Sequence, residues 1–247
     1  MKLLISAASH VGCVRQNNED MILVGEQFVR NDHCNEEANL AETDRYLVAL
    51  ADGMGGHSSG EVASSDVLTN LHYFFYDMPS GLPVGDFNEA IYEWLASINH
   101  VIDAKGKSEP QYRDMGTTLV ALAYYAGNFY WMNCGDSRLY RYHDGRLQQL
   151  STDHSLNTLM GVSEHSNIIT NCIGGGCNTS YIDLVQCTAS IRQGDTLMLC
   201  SDGLTDMLSD IEIQDLLANG ADATQLCDAA NAAGGYDNVS VSLIKIV

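Results

Sequence analysis

Basic side chains are scarce in this chain of 247 residues. Lys and Arg together number 12 against 32 Asp and Glu, so the formal net charge is −20 at pH 7. A surface of that sign repels phosphate backbones, which excludes nucleic acid as an expected partner. Solubility alone accounts for most of this acidity, but any acids that lie close together require a cation between them.

Proline and low-complexity sequence are also rare. Only three prolines occur, and no repeat or linker-like tract divides the chain. Hydrophobic residues make up 45%, which is enough to fill a sizeable core. We therefore expect residues 1–247 to form a single domain, and we expect a monomer.

Long apolar runs and paired cysteines are missing too. No run of 18 apolar residues occurs, and the opening MKLLISAASHVG lacks the full apolar core of a signal peptide, so no membrane association is expected. The eight cysteines form no C-x-x-C motif, and no His pair has zinc-site spacing. Several lie in apolar runs, where a free thiol packs as a small core residue. These features favour a reducing cytoplasm.

Strand patterns and helix patterns occur in separate groups. Two hairpins are predicted, one around Gly127-Asn128 and one around Asp144-Gly145. The strands of the first hairpin are predicted at residues 118–125 and 128–133, and those of the second at 138–143 and 147–150. Further strands are predicted at residues 46–51, 196–201 and 239–243. This grouping favours α+β layers over alternating βαβ units.

Four helices are predicted from apolar spacing and end signals. The first contains Ala63 and Phe74, and the second opens at a capping box of Asp86 and Glu89. Its apolar stripe consists of Phe87, Ile91, Leu95, Ile98 and Ile102. A third opens at Ser209 with Glu212 and is closed by Gly220, and the last covers residues 223–234.

Acids lie at the ends of several predicted strands. Asp52, Asp136 and Asp202 each end an apolar strand, Asp237 precedes one, and Arg15, Glu19 and Asp20 precede the run MILV. Acids at strand ends converge at one edge of a sheet, where they repel one another unless a cation holds them. Oxygen ligands select Mg²⁺ or Mn²⁺ over zinc, and Gly53 leaves its carbonyl accessible to an ion. The alternative for each segment alone is an ordinary Asp-Gly turn.

Seven motifs in a fixed order carry a resemblance to a known family. They read G-x-V-R-x-x-N-E-D, A-D-G-M-G-G-H-x-x-G-E-x-A, M-G-T-T, N-x-G-D-S-R, D-H-S-L, C-S-D-G-L-x-D and D-N-x-S. They occupy residues 12–20, 51–63, 115–118, 133–138, 153–156, 200–206 and 237–240. The chain resembles the bacterial metal-dependent PPM/PP2C protein serine/threonine phosphatases over nearly its whole length.

The resemblance implies a four-layer αββα sandwich, in which two antiparallel sheets are flanked by helix pairs. It also implies two tightly bound Mn²⁺ or Mg²⁺ ions and a weaker third. By similarity Asp52 bridges the two ions, while Gly53, Asp202 and Asp237 complete their ligands. Asp20, with Glu19, holds metal-bound water, and Asp136 and Asp206 match the acids of the third ion.

The same resemblance implies catalytic roles for two further side chains. Arg15 matches the arginine that binds the phosphate, although an ion pair with Glu19 or Asp20 is the alternative. His57, at the end of the glycine loop, is a general-acid candidate for the leaving serine or threonine oxygen, or else only a hydrogen-bonding residue at a helix start. His154 is expected to be structural.

Two segments depart from the family pattern. The flap at about residues 156–172 is short, and Asn171 stands where the family usually has an arginine, so flap contacts with substrate do not carry over. Residues 30–45 form an acidic insertion, expected as a loop at the end of the sandwich away from the metals.

The leading hypothesis is a phosphatase of phosphorylated proteins, partnered with a serine/threonine kinase pathway. A binding module that keeps the fold without catalysis would be marked by loss of a metal acid, and none is lost. A phosphatase for a small phosphoester is a third possibility, but such branches often lack the equivalent of Arg15.

Overall fold

The computed structural model describes residues 1–55, 59–161 and 168–247. His57, one of the catalytic candidates, lies outside the described residues, as does the middle of the flap. The strands within the described residues are β1 (Lys2–His10), β2 (Met21–Val24), β3 (Gln27–Val29), β4 (His33–Asn39), β5 (Arg45–Ala51), β6 (Gly53–Met54), β7 (Gly116–Thr117), β8 (Leu119–Tyr125), β9 (Asn128–Cys134), β10 (Arg138–His143), β11 (Arg146–Gln149), β12 (Ile173–Gly174), β13 (Asp183–Gln186), β14 (Thr196–Cys200) and β15 (Val239–Ile246). The α-helices are α1 (Ser59–Asp77), α2 (Val84–Ser108), α3 (Leu156–Met160), α4 (Asp202–Thr205), α5 (Asp210–Ala218) and α6 (Ala223–Ala232).

Two six-stranded antiparallel sheets form the centre of the molecule. One has the order β11-β10-β14-β15-β1-β4, and the other has the order β13-β9-β8-β5-β2-β3. A small third sheet, β12-β7-β6, continues from the end of β5. It pairs Gly53 and Met54, which follow Asp52, with Thr117 and Gly116 of β7 just before β8. No helix of the described residues has both the length and the hydropathy of a bilayer-spanning segment.

Strand β5 shows why the sheets stack face to face. All seven of its residues are buried, because both of its faces are covered. Leu47 and Ala49 pack with α1 and α2, whereas Val48 and Leu50 pack against the opposite sheet. A third cluster joins the outer face of that opposite sheet to α5 and α6. The layers are therefore helix, sheet, sheet and helix, which confirms the αββα sandwich and both predicted hairpins.

The capping box predicted at the start of the second helix is absent. Helix α2 begins at Val84 after Pro83, with no side-chain cap, so Asp86 and Glu89 do not form the predicted capping box. A proline supplies the extended backbone before the helix instead. The predicted apolar stripe of α2 is buried, and the capping box of Ser209 and Glu212 is present at α5.

The acidic segment 30–45 is not the predicted loop. Its centre forms β4, which pairs with β1 along the edge of the sheet, from Ala8 opposite His33 to Lys2 opposite Asn39. It therefore runs the length of the sheet and does not lie only at the far end. Glu37 of β4 is exposed, whereas the adjacent Glu36 accepts the hydroxyl of Tyr46 at 2.6 Å. Charge on an edge strand discourages pairing with another chain.

Arg45 at the start of β5 completes the end of helix α1. Its Nη1 donates to the carbonyls of Phe75, Tyr76 and Met78 at 3.1, 3.0 and 2.7 Å. The residue is only 8% exposed, and its Nη2 pairs with Asp44 at 3.1 Å. The last turn of α1 contains no basic residue, so this guanidinium from the sheet satisfies the unpaired carbonyls of the helix.

We predict that Arg45→Met lowers the free energy of unfolding by about 3 kcal/mol, since it leaves buried carbonyls and Asp44 without their charged donor. Urea denaturation followed by circular dichroism measures the change. Arg146→Met is the matched control, because Arg146 is exposed, and it should cost no more than about 0.5 kcal/mol. Equal losses in the two variants would contradict the role of Arg45 as a cap.

Candidate metal centre

Six aspartates come together at one end of the sandwich, where strands of both sheets end. We call this set the acidic edge; it consists of Asp20, Asp52, Asp136, Asp202, Asp206 and Asp237. Met21 pairs with Ala51, so the neighbouring Asp20 and Asp52 leave the sheet side by side. Cys200 pairs with Val241 in the other sheet, which brings Asp202 to the same end as Asp237.

The main chain of Asp52 is fixed by two threonines of the M-G-T-T motif. Its N–H donates to Thr118 Oγ1 at 3.0 Å, and its carbonyl accepts from Thr117 Oγ1 at 2.8 Å and from the Thr118 N–H at 2.9 Å. Thr118 Oγ1 also lies 2.7 Å from Ser137 Oγ, beside Asp136. The loops that carry Asp52 and Asp136 are therefore joined through one buried hydroxyl pair.

Gly53 is required by close packing of the backbone. A Cβ there would lie 2.1 Å from the carbonyl oxygen of Gly60 and 2.7 Å from that of Glu19. The Gly53 N–H donates to the same Glu19 carbonyl at 3.1 Å. A side chain at this position would push the start of α1 away from Asp52, so the glycine has a structural reason independent of any ion.

Asp20 is a wholly buried carboxylate, and one of its two oxygens has no hydrogen-bond partner among the described residues. Ser201 Oγ donates to its Oδ2 at 2.7 Å. Its Oδ1 has no hydrogen-bond partner within the described part of the chain. The buried Oε1 of Glu19 likewise has no hydrogen-bond partner there. Buried anionic oxygens without donors are costly, and a divalent cation is the partner that suits them.

The pKa shifts of the acidic edge also favour a bound cation. Burial, followed by the charges of Asp20, Asp202, Asp136 and Asp237, holds the pKa of Asp52 well above its usual range. Burial, followed by Asp136 and Asp206, also raises the pKa of Asp202. For Asp136, burial is the main cause of a pKa raised to about 6. A bound cation reverses these effects by favouring the ionised carboxylates.

Arg15 pairs with Asp237, not with Glu19 or Asp20. Its Nη2 lies 2.5 Å from Asp237 Oδ2, and the hydrogen bond to Asp237 raises the pKa of the guanidinium. Asp237 Oδ1 accepts the N–H of Asn238 at 2.8 Å. Both oxygens of Asp237 therefore have partners. In residues 1–55, 59–161 and 168–247, no group of three or more His, Cys, Asp or Glu side chains is already arranged to hold a metal ion.

Asp206 lies one helical turn after Asp202 and is exposed. Its N–H donates to the Asp202 carbonyl at 2.8 Å, so α4 fixes the spacing of the two acids. Its charge acts on both Asp136 and Asp202, which places these three acids together at the outer side of the acidic edge.

Asn238 positions the segment that carries Arg15 and Glu19, a role that the sequence analysis missed. Its Oδ1 accepts the Glu19 N–H at 2.8 Å, and its Nδ2 donates to the carbonyls of Val11 and Asn17, each at 2.9 Å. Asn238 is 5% exposed. Its place in the D-N-x-S motif was the available signal, but only the fold shows what the amide holds.

The flap is anchored by His154 and Asn171, both of which are buried. Asn171 Nδ2 lies 2.8 Å from His154 Nδ1 and donates to the Tyr181 carbonyl at 2.8 Å. Across the flap base, the Leu156 N–H donates to the carbonyl of Ile168, and the Thr170 N–H donates to the carbonyl of His154. His154 is therefore structural, as expected, and Asn171 points into the protein and serves as an anchor of the flap base.

Comparison with known proteins agrees with this architecture. Residues 24–235 match the family model described as protein phosphatase 2C. Protein phosphatase PhpP of Streptococcus pneumoniae is 35% identical, over 98% of this chain and 97% of the relative.

Two solved structures are similar over nearly their whole length. The serine/threonine phosphatase of S. agalactiae has a TM-score of 0.85 at 30% identity, covering 99% of this chain and 100% of that one. The catalytic domain of the phosphatase PstP, solved in complex with two manganese ions, has a TM-score of 0.74 at 31% identity, covering 99% of each chain. With this family match and these full-length relatives, the chain belongs to the protein phosphatase 2C family of metal-dependent serine/threonine phosphatases.

Proposed function

We propose that this chain hydrolyses phosphoserine and phosphothreonine in proteins with two Mn²⁺ or Mg²⁺ ions held on the acidic edge. The observation that carries the proposal is the buried Asp20 oxygen without a hydrogen-bond partner in the described part of the chain, beside Asp52, a carboxylate whose ionisation is opposed by burial and then by the neighbouring acids. When bound, such ions supply an acidified water and positive charge for the phosphoryl oxygens. The relatives named as serine/threonine phosphatases support protein substrates, and these imply an opposing kinase.

We assign the ligand roles from the family resemblance and from the clustering of the acids. Asp52 would serve both ions, and Gly53 would offer its carbonyl. Asp202 and Asp237 complete the inner set, while Asp20 is held by Ser201 as an outer partner. Asp136 and Asp206, at the outer side, are proposed to hold a weaker third ion.

Arg15 is proposed to bind the phosphoryl group. It is exposed, and its fork of N–H donors suits phosphate oxygens. In the described arrangement it pairs with Asp237, and it would have to leave that carboxylate for Asp237 to hold an ion. The guanidinium is then available for substrate beside the acidic edge.

His57 is proposed to give a proton to the leaving serine or threonine oxygen. The proposal comes from its place at the end of the glycine loop that begins at Gly53. The catalytic domain is proposed to comprise residues 1–247 with a shortened flap at 156–172. The flap base described above fixes both ends of that segment.

We predict that a chelator abolishes hydrolysis of aryl phosphate and of a phosphothreonine peptide, and that added Mn²⁺ restores both. Asp52→Asn should lower kcat by at least about 100-fold at every Mn²⁺ concentration, more than is lost when a residue that only orients a metal ligand is removed.

Asp136→Ala should lose activity mainly at limiting Mn²⁺ and should recover it as the Mn²⁺ concentration is raised. Near-normal turnover in Asp52→Asn would contradict its bridging role, and an unchanged metal titration in Asp136→Ala would contradict the third site.

We predict that Arg15→Ala raises KM for the phosphopeptide about tenfold, the effect of losing roughly 1.4 kcal/mol of charged hydrogen bonding. Mn²⁺ affinity, measured by calorimetry, should not fall, because removing the arginine frees Asp237. Arg192→Ala, an exposed arginine outside the acidic edge, is the control and should change neither quantity. A weaker Mn²⁺ affinity with unchanged KM would show that Arg15 serves the metal site only.

We predict that His57→Ala slows phosphopeptide hydrolysis about 100-fold, in the range of a lost general acid. Aryl phosphate turnover should fall only a few-fold, since a phenolate leaves without needing a proton. His33→Ala, on the exposed part of β4, is the control and should affect neither substrate. Equal slowing of both substrates in His57→Ala would rule out the general-acid role.

A further inference from the structure

Two cysteine thiols outside the acidic edge lie almost in bonding contact. The Sγ atoms of Cys172 and Cys177 are 3.2 Å apart, and all eight cysteines are free. A disulfide has an S–S distance of about 2.05 Å, so bond formation needs a movement of only about 1 Å. The hydrogen-bonded thiol pair is therefore already close to the geometry of a cross-link.

The turn between the two cysteines holds them in this position. Gly174, Gly175 and Gly176 all have positive φ, at 76°, 59° and 79°, and the Cys177 N–H donates to the Gly174 carbonyl at 2.9 Å. A chain with side chains at these three positions would resist the left-handed turn.

Asn99 of helix α2 fixes this turn from the protein side. It is 7% exposed; its Oδ1 accepts the Gly174 N–H at 2.7 Å, and its Nδ2 donates to the Cys177 carbonyl at 3.1 Å. The second cysteine is thus held by the same buried amide that orders the start of the turn. Such preorganisation removes most of the conformational cost of joining the two sulfurs.

The two thiols differ in exposure, which assigns their roles. Cys172 is 4% exposed, and burial raises the pKa of its thiol, so it stays protonated and does not meet an oxidant first. Cys177 is half-buried and reachable from solvent. Cys177 is therefore the thiol that peroxide oxidises first, and Cys172 is in place to react with the oxidised Cys177.

We propose that Cys172 and Cys177 are an oxidation site that closes reversibly to a disulfide when the protein meets a peroxide. The Cys177 thiolate attacks one oxygen of hydrogen peroxide, the O–O bond breaks, and sulfenic acid and hydroxide form. The Cys172 sulfur then attacks the Cys177 sulfur, the S–O bond breaks, and the second hydroxide leaves. The two hydroxides take up the two thiol protons, so two thiols and one peroxide give one disulfide and two waters. A small dithiol reverses the reaction by exchange.

The cross-link would join the flap base to the turn against α2. Ile173 of β12 pairs with Thr117 of β7, and a Cβ on Gly116 would lie 2.6 Å from the Gly175 nitrogen. Beside this turn opens a cleft of about 510 Å³, lined in part by Gly175 and Gly176. Oxidation therefore places a covalent restraint beside that cleft, at the end of the segment that anchors the flap.

Peptide mapping of the full chain tests the proposal. Trypsin releases residues 147–192 as one peptide that contains Cys172, Cys177 and Cys187 and no other cysteine. After hydrogen peroxide and quenching with a maleimide in denaturant, which exposes the buried Cys187, the wild-type peptide should have lost two hydrogens and should carry one maleimide, on Cys187. Dithiothreitol before the quench should restore three labelled thiols.

Two variants separate this pair from its neighbour. Cys187→Ala keeps both members of the pair and should still form the disulfide, whereas Cys177→Ser should form none. The exposed Cys13 should be oxidised in every peroxide-treated sample, and its oxidation serves as the control that peroxide reached the protein. Three labelled thiols in the treated wild-type peptide alongside oxidised Cys13, or a disulfide that includes Cys187, would overturn the proposal.

Discussion

The crowding of carboxylates at a poorly solvated edge is the constraint on which this molecule depends. The acidic edge brings its aspartates together where the ends of two sheets meet, and burial, followed by the charges of the neighbouring acids, raises the cost of ionising Asp52 and Asp202. The arginines of that region are mostly committed elsewhere. Arg30 donates to the Asp20 carbonyl and pairs with Glu61, and Arg138 forms a forked pair with Asp153. Within the described residues, Arg15 alone forms an ion pair with a carboxylate of the acidic edge, so most of the negative charge is left for divalent ions.

Close backbone approach is what allows the acids to meet at all. At Gly203 a Cβ would lie 2.0 Å from the Asn238 carbonyl, and at Gly12 it would lie 2.2 Å from the Asp237 carbonyl. The Gly53 contact with Gly60 follows the same principle. The loops from different strands thus press main chain against main chain, and side chains of the acidic edge are displayed from a rigid support.

Much of this arrangement could be predicted from the sequence because local patterns and tertiary packing agree. The two hairpins, the apolar stripe of α2 and the Ser209 capping box depend on neighbours in the chain, and all are present. The grouping of strands and helices predicted α+β layers, and the family resemblance implied their αββα order. The positions of Asp52 and Asp202 at strand ends predicted that these acids would lie at one edge of the sandwich, as the structure has them.

The remaining features depend on contacts between segments distant in sequence, which no local pattern records. Residues 33–39 carry acids and read as a loop, yet β1 offers an open edge and tertiary pairing overrides the low strand propensity. The partner of Arg15 is 222 residues away, so the sequence suggested the nearer acids Glu19 and Asp20 instead. Asn238 and Arg45 act through amide and guanidinium bonds to main-chain atoms of remote loops, and composition alone does not reveal such partners.

The flap base makes the size of the flap independent of the sandwich. Its two ends are tied by the Leu156 bond to Ile168 and the Thr170 bond to His154, and the buried Asn171 secures the returning chain. Chain inserted or removed between these ties moves no strand of either sheet, and the entropy of closing a loop grows only slowly with its length. The flap can therefore change in length and sequence while the sandwich and the acidic edge stay the same. Substrate preference is free to diverge by insertion and deletion in the flap without altering the chemistry.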